Sequence, residues 1–278
     1  MILIIILIML LTPVLSLAWG PETHIKIALN ILETTNFSLL KNYPAFFITG
    51  NLFPDFFNLF KDISKFKKNL PTHSWNTVSL LFKKANSDAD KAFAHGYASH
   101  LAADIIAHNH LVPEHTMLNN KSRFLSHFMV EMASASNDKK FKYILLEILE
   151  HADVRGELFL RSFNIEKLYF KRELFFLKNG IKMQSILKLS ELATYLKNRK
   201  SPTFIAKCDL YEAKSTEMAR KAVENGFAQL MKFDPSGKRN INKAKILRKK
   251  LLVNFSKKEL KEHSKTIVIS EKMKKSEL

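Results

Sequence analysis

Only seven glycines interrupt the 278 residues, and between them apolar side chains recur three and four positions apart. That spacing places one apolar stripe on a 3.6-residue helix, whereas a strand would need alternation. The pattern runs through Ile25 to Leu32, Val78 to Lys84, Phe141 to Ala152, Ile165 to Leu177, Ile181 to Leu196 and Phe204 to Met231. Ser201-Pro202 reads as an N-cap followed by proline at the first helical position. The expected class is therefore all-α, a multi-helix bundle. No internal repeat and no Pro- or Gly-rich linker divides the body of the chain, and its length suffices for a buried core.

The two ends differ from the body. Residues 1–18 are expected to be a signal peptide: Ile2 to Leu11 is continuously apolar, and Ser16-Leu17-Ala18 fits a small-x-small cleavage site. No Lys or Arg precedes the apolar run, so an uncleaved anchor is the competing reading, although the run is near the lower limit for spanning a bilayer. Cleavage predicts a secreted or periplasmic protein, and retention predicts a membrane-anchored one. Cys208 is the only cysteine and cannot form an intrachain disulfide; it reads as a small buried residue. The main helical domain is expected over residues 19–235. Residues 236–278 read as a basic, partly helical or disordered tail. From Lys238 to Leu278 there are fourteen Lys or Arg against four Asp or Glu, which is ten of the eighteen net positive charges. Such a run is either a solvated segment or a contact for an anionic membrane. Nucleic acid is the less favoured partner, because no base-reading motif or interleaved aromatics accompany the charge.

Six of the ten histidines fall between Ala94 and Glu131. His100, Asp104 and His108 are spaced by four, so they project from one helical face, and His127 with Glu131 repeats the interval. An i, i+4 pair delivers two ligands without loop strain, and two such helices facing each other can enclose a multinuclear site in a bundle core. Asp104 stands among Ala103, Ile105 and Ile106, where a buried carboxylate without a cation is costly. A lone histidine on an apolar face is more often a hydrogen-bonded core residue, but two registered sets point to metal.

Five blocks carry a resemblance. They are Trp19-Gly-x-x-x-His24, Gly50-Asn-Leu-Phe-Pro54-Asp55, Thr72-His73-Ser74, Gly96-Tyr-Ala-Ser-His100-Leu-Ala-Ala-Asp104-Ile-Ile-Ala-His108-Asn109, and His127-x-x-x-Glu131. In order and spacing they resemble the zinc-dependent phospholipase C family, within the phospholipase C and single-strand nuclease superfamily, over Trp19 to Met132. The resemblance implies an all-helical fold with three Zn2+ ions in its core. It implies that Trp19 ligates through its amine and carbonyl, with His24 and a bridging Asp104. The amine is free only if the chain is cut after Ala18. A second zinc would lie between Asp55, His73, His100 and Asp104. The third would be held by His127 and Glu131 together with His108 or His110. A helix continuing through Asn109 favours His108, and an earlier helix end lets His110 swing inward. His95, His115, His151 and His263 match no ligand position.

The implied chemistry is phosphodiester hydrolysis by metal-activated water. Asp55, expected in a loop after Pro54, is the candidate general base as well as a ligand. Two substrates share such a scaffold: glycerophospholipid, as in a phospholipase C, and single-stranded nucleic acid. The Pro-Asp block and the His-Leu-Ala-Ala-Asp form look more like the phospholipase branch. Phe46, Phe47, Phe53, Phe56, Phe57 and Phe60 either contact acyl chains or pack the core. A third reading is a membrane-associated binding protein that keeps the fold without turnover. The sequence carries no signal for oligomeric state.

Overall fold

The computed structural model describes residues 19–57, 70–118, 139–186 and 202–263, and among these there is no strand. In chain order the helices are α1 (Pro21–Thr34), α2 (Ser38–Asn42), α3 (Pro44–Phe56), α4 (Trp75–Lys84) and α5 (Asp88–Ile106). A π-helical turn, Ala107–Leu111, joins α5 to α6 (Val112–Leu118). There follow α7 (Lys139–Glu150), α8 (Ala152–Arg155), α9 (Glu157–Ser162), α10 (Lys167–Ile186) and α11 (Pro202–Glu224). A 3-10 turn at Ala228–Leu230 precedes α12 (Lys238–Asn254) and α13 (Lys257–His263). The chain is all-α. Expectations for residues 1–18, Phe60, His127, Glu131 and the end of the tail lie outside the described residues. No helix among the described residues is long and apolar enough to cross a membrane.

The central element is α5. Ser87 caps it by accepting the Asp90 N–H at 3.1 Å, and Asp88 and Asp90 set negative charge against the positive end of the helix dipole. From Ala92 to Ile106 every side chain except His95 is buried, as expected of a helix surrounded on all sides. α3 crosses it at unusually close range because two glycines meet there. A Cβ on Gly50 would lie 2.0 Å from the Phe93 carbonyl oxygen, and one on Gly96 would lie 2.0 Å from that of Phe47. Both helices thus present bare backbone at the crossing, which brings the face carrying Asn51 and Asp55 against His100 and Asp104. α11 packs on another side of α5, starting at Pro202 as anticipated. It stops at Glu224 rather than continuing to Met231, because Gly226 adopts φ +77 and reverses the chain.

The phenylalanines around Asp55 are core residues. Phe53 meets Phe56, Phe57, Phe93, Phe159 and Phe170 with ring centroids 5.0 to 5.7 Å apart. Phe47 is also fully buried, so these rings pack against protein and the acyl-chain reading is withdrawn for them. Among the described members of this group, only Phe46 is half-buried, edge-on to Tyr43. Asp55 is likewise not in a loop: α3 runs through Pro54 to Phe56. The proline sits in the last turn, where little helix remains to be disrupted, and burial against α5 holds the turn in place.

The basic C-terminal segment is helical over Lys238–Asn254 and Lys257–His263, and it is packed rather than free. Ile241, Ala244 and Leu260 are buried, and Arg248 donates to the Met117 carbonyl at 2.7 Å. α12 lies against α6 and the π turn, beside the richest histidine cluster in the chain.

Candidate metal centre

His24, Asp55, His73, His100, Asp104 and His108 converge in one buried volume. His24 comes from the first turn of α1, Asp55 from the last turn of α3, and His100 and Asp104 from α5. His73 precedes α4 in a short segment tied down on both sides. The Thr77 hydroxyl donates to the Pro71 carbonyl at 2.7 Å, the Tyr97 hydroxyl donates to the Thr72 carbonyl at 2.7 Å, and Ser74 caps α4.

The separations have a common value. His73 Nε2 is 3.3 Å from Asp55 Oδ1 and 3.3 Å from Asp104 Oδ2. His100 Nε2 is 3.3 Å from Asp104 Oδ2, 3.4 Å from His73 Nε2 and 3.6 Å from Asp55 Oδ2. These are longer than N–H···O hydrogen bonds, which run about 2.7–3.2 Å. A tetrahedron with zinc–ligand bonds of about 2.0–2.1 Å has edges of about 3.4 Å. The two imidazole nitrogens are thus spaced from each other and from each carboxylate as ligands of a cation would be. Two groups have all their ligand atoms within 4.8 Å of one another: His24, His100 and Asp104, and Asp55, His73 and His100. His100 belongs to both, and its ring stacks on that of His24 with centroids 3.9 Å apart.

Neighbours set the imidazole tautomers. His100 Nδ1 lies 2.7 Å from the Asn51 carbonyl oxygen, which can only accept, so Nδ1 carries a proton and Nε2 is the nitrogen that faces the carboxylates. Asn51 is held in turn by donating to Ser99 Oγ at 2.8 Å. His108 Nδ1 similarly donates to the Pro235 carbonyl at 2.6 Å while standing 3.5 Å from Asp104 Oδ2. His73 Nδ1 pairs with Thr72 Oγ1 at 3.1 Å. His24 differs: both its ring nitrogens are buried without a hydrogen bond among the described residues, and Nε2 is 3.5 Å from Asp104 Oδ1. A buried polar atom left this way costs about 1–3 kcal/mol. A cation at the cluster relieves that cost, and the N/O donor set suits zinc.

The charges balance around the two carboxylates. Burial raises the pKa of Asp104, but His108 and His100 outweigh it and hold the group well below its ordinary range. Asp55 is also lowered: burial works against ionisation, and His100 and His73 overcome it. Burial opposes charge on His73, yet the facing carboxylates of Asp104 and Asp55 push its pKa up to about 10. Burial and the neighbouring His100 lower that of His24. Two anionic carboxylates therefore demand a positive partner, and His73 supplies it as a proton until a metal takes its place.

The remaining expected positions divide. Trp19 is fully buried, its indole donating to Ser215 Oγ at 2.9 Å. Ser215 donates to the carbonyl of Ala103 at 3.1 Å, which ties residue 19 to the turn that carries Asp104. The π turn begins at Ala107, so α5 does not continue as an α-helix through Asn109. His108 nevertheless stays beside Asp104, whereas His110 is half-buried and makes no ion pair with the carboxylates among the described residues. Burial lowers the pKa of His110. His95 is half-buried between Phe37 and Phe82, edge-on to both rings, and desolvation pushes its pKa down to about 4.

Several contributors carried no signal in sequence spacing. Pro235 and Gly237 are the clearest: a Cβ on Gly237 would lie 2.2 Å from the His108 carbonyl oxygen, and the residue sits at φ +57. Asn109 binds the same loop, donating to the Asp234 carbonyl at 2.7 Å and accepting from Asn240 at 2.8 Å. Trp75 donates to the Phe233 carbonyl at 3.0 Å. Residues more than 120 positions downstream thus position the histidine face of α5 and the π turn.

A family model described as zinc dependent phospholipase C matches residues 23–173. No curated protein and no solved structure matches the chain.

Proposed function

The chain belongs to the zinc-dependent phospholipase C family, and on that premise we propose that it hydrolyses glycerophospholipids to diacylglycerol and a phosphorylated head group. The observation that carries this reading is the set of 3.3 to 3.6 Å separations that His73 and His100 make with each other and with Asp55 and Asp104, close to the ligand–ligand distances around a zinc ion. We assign Asp55, His73, His100 and Asp104 to one zinc, and His24, Asp104 and Trp19 to another. His108 is assigned to a third with His127 and Glu131, which lie outside the described residues.

When bound, zinc would polarise the phosphoryl oxygens and lower the pKa of a water towards about 7. The protein's part is orientation and proton handling. Asn51 and Pro235 hold His100 and His108 through their carbonyls. On this reading Asp55, its carboxyl ionised and aimed into the cluster, accepts the proton of the attacking water; Oδ1 lies 3.3 Å from His73 and Oδ2 3.6 Å from His100. On the reading of residues 1–18 as a leader, cleavage gives an extracellular or periplasmic site of action and retention a membrane-anchored one.

The test is hydrolysis of phosphatidylcholine micelles and of a single-stranded oligonucleotide, with loss on chelation and recovery with zinc. Asp55→Asn is expected to lower lipid turnover by at least about 100-fold while zinc stays bound. Cleavage of the oligonucleotide without lipid turnover favours the nuclease reading, and zinc binding without either activity favours a binding protein.

A further inference from the structure

We propose that the outward face of α12 docks on an anionic phospholipid bilayer; the purpose of the contact rests on the lipid-hydrolysing reading, but the contact itself does not. α12 is packed along one side only, where Ile241, Ala244 and Arg248 are buried. At 100° per residue the opposite side is led by Ile246 and Val253, seven positions apart and 57% and 82% exposed. Arg239, Lys243 and Lys250 flank this pair on one side and Lys249 on the other. Apolar tips between long basic side chains match the boundary of a bilayer, where aliphatic groups enter the acyl region and Lys and Arg reach up to the phosphates.

Charge identifies the occupant. Between Lys238 and Lys258 there are nine Lys or Arg and no Asp or Glu. Lys238, Arg239, Lys243, Lys245, Lys249 and Lys250 form no ion pair among the described residues, whereas elsewhere Lys91, Lys167 and Lys178 are each matched by a carboxylate. A row of unmatched cations repels itself and is relieved by an extended sheet of negative charge. The helical face carries no aromatic ring on which bases could stack, and its aliphatic tips suit hydrocarbon better than a nucleic acid groove.

The docked helix would also present the metal cluster. α12 starts from Gly237, which lies against His108, and Pro235 holds the His108 ring. Ile246 is nine residues further on, about 14 Å along the helix axis. Docking would therefore bring the cluster close to the lipid surface through a rigid element that already touches one of its histidines.

The experiment is sedimentation of the full zinc-loaded protein with sucrose-filled vesicles, on ice, using phosphatidylcholine alone and phosphatidylcholine with phosphatidylserine. Binding is expected only to the mixed vesicles and should weaken with salt. Each basic residue contributes about fivefold near such a surface (~1 kcal/mol), so Lys243→Gln/Lys249→Gln/Lys250→Gln is expected to lower affinity about 100-fold. Ile246→Ser/Val253→Ser should also weaken binding and leave the salt slope unchanged. Turnover of a soluble, monomeric short-chain phospholipid should be the same in these variants as in the parent. If that turnover is absent in the parent while vesicle binding holds, the hydrolase reading fails and the docking surface stands. Equal binding to neutral vesicles, parent-like binding by the triple variant, or binding to an oligonucleotide in preference to mixed vesicles would each overturn the proposal.

Discussion

Gly96→Ala tests the link between the helix crossing and the metal cluster. The added Cβ would meet the Phe47 carbonyl oxygen at 2.0 Å and the Asn51 backbone nitrogen at 2.9 Å. Ordinary contact begins near 3.4 Å, so α3 would have to withdraw by about 1.4 Å. Both obstacles are backbone atoms, and no change of rotamer can absorb the clash. Alanine gains about 1 kcal/mol of helix propensity over glycine. Overpacking a tight interior costs about 1–3 kcal/mol, more when backbone must move, so a net loss of about 2 kcal/mol is expected. The same withdrawal carries Asn51 and Asp55 away from His100. Ligand distances tolerate about 0.2 Å, and disturbing an orienting partner costs about 10–100-fold in metal affinity. Urea unfolding of the metal-free protein measures the first effect, and competition with a chromogenic chelator measures the second. Gly226→Ala is the control: its φ of +77 strains an alanine, but nothing lies within 4 Å of the new Cβ. That variant should lose stability and keep its zinc affinity. If Gly96→Ala bound zinc as tightly as the parent and unfolded at the same urea concentration, the close crossing would not be what positions the cluster.

Metal and proton compete at His73. Its pKa is raised to about 10, so the metal-free imidazole is protonated at neutral pH and must lose that proton to ligate. Zinc affinity should therefore rise about tenfold per pH unit from neutrality towards pH 10 through this group, and calorimetry in buffers of different ionisation enthalpy should report proton release on binding. Constant affinity over that interval would refute the assignment. His108→Ala is expected to reduce bound zinc, measured by mass spectrometry under native conditions, while His110→Ala leaves the count unchanged. The reverse result would show that the π turn does not present its histidines as argued.

Much of this architecture is legible in the residues themselves. The three- and four-residue apolar spacing identifies the helices, and Pro202 marks the start of α11. His100 and Asp104 share a face because four residues span little more than one turn, a local rule that needs no knowledge of packing. The glycines at 50 and 96 stand in the motif blocks, but their meaning appears only when each faces the other's backbone. Local rules were misleading where tertiary contacts outweighed them. Pro54 suggested a loop, yet burial against α5 keeps Asp55 helical. The charge of the C-terminal segment left a partly helical and a disordered tail open, and Ile241, Ala244 and Arg248 give α12 a buried side.

The sequence alone therefore determines the helical class and the shared face of His100, Asp104 and His108, because both follow from periodicity within one segment, whereas His24, Asp55 and His73 were implied only by the resemblance. Only the tertiary structure decides which donors approach to within 3.3 to 3.6 Å of one another and that Pro235 and Gly237 steady His108. Those relations join residues as remote in the chain as His108 and Pro235, 127 positions apart. No local spacing encodes such distances; they arise when helices close on one another and each carbonyl, glycine and imidazole meets a partner that chain order had kept remote.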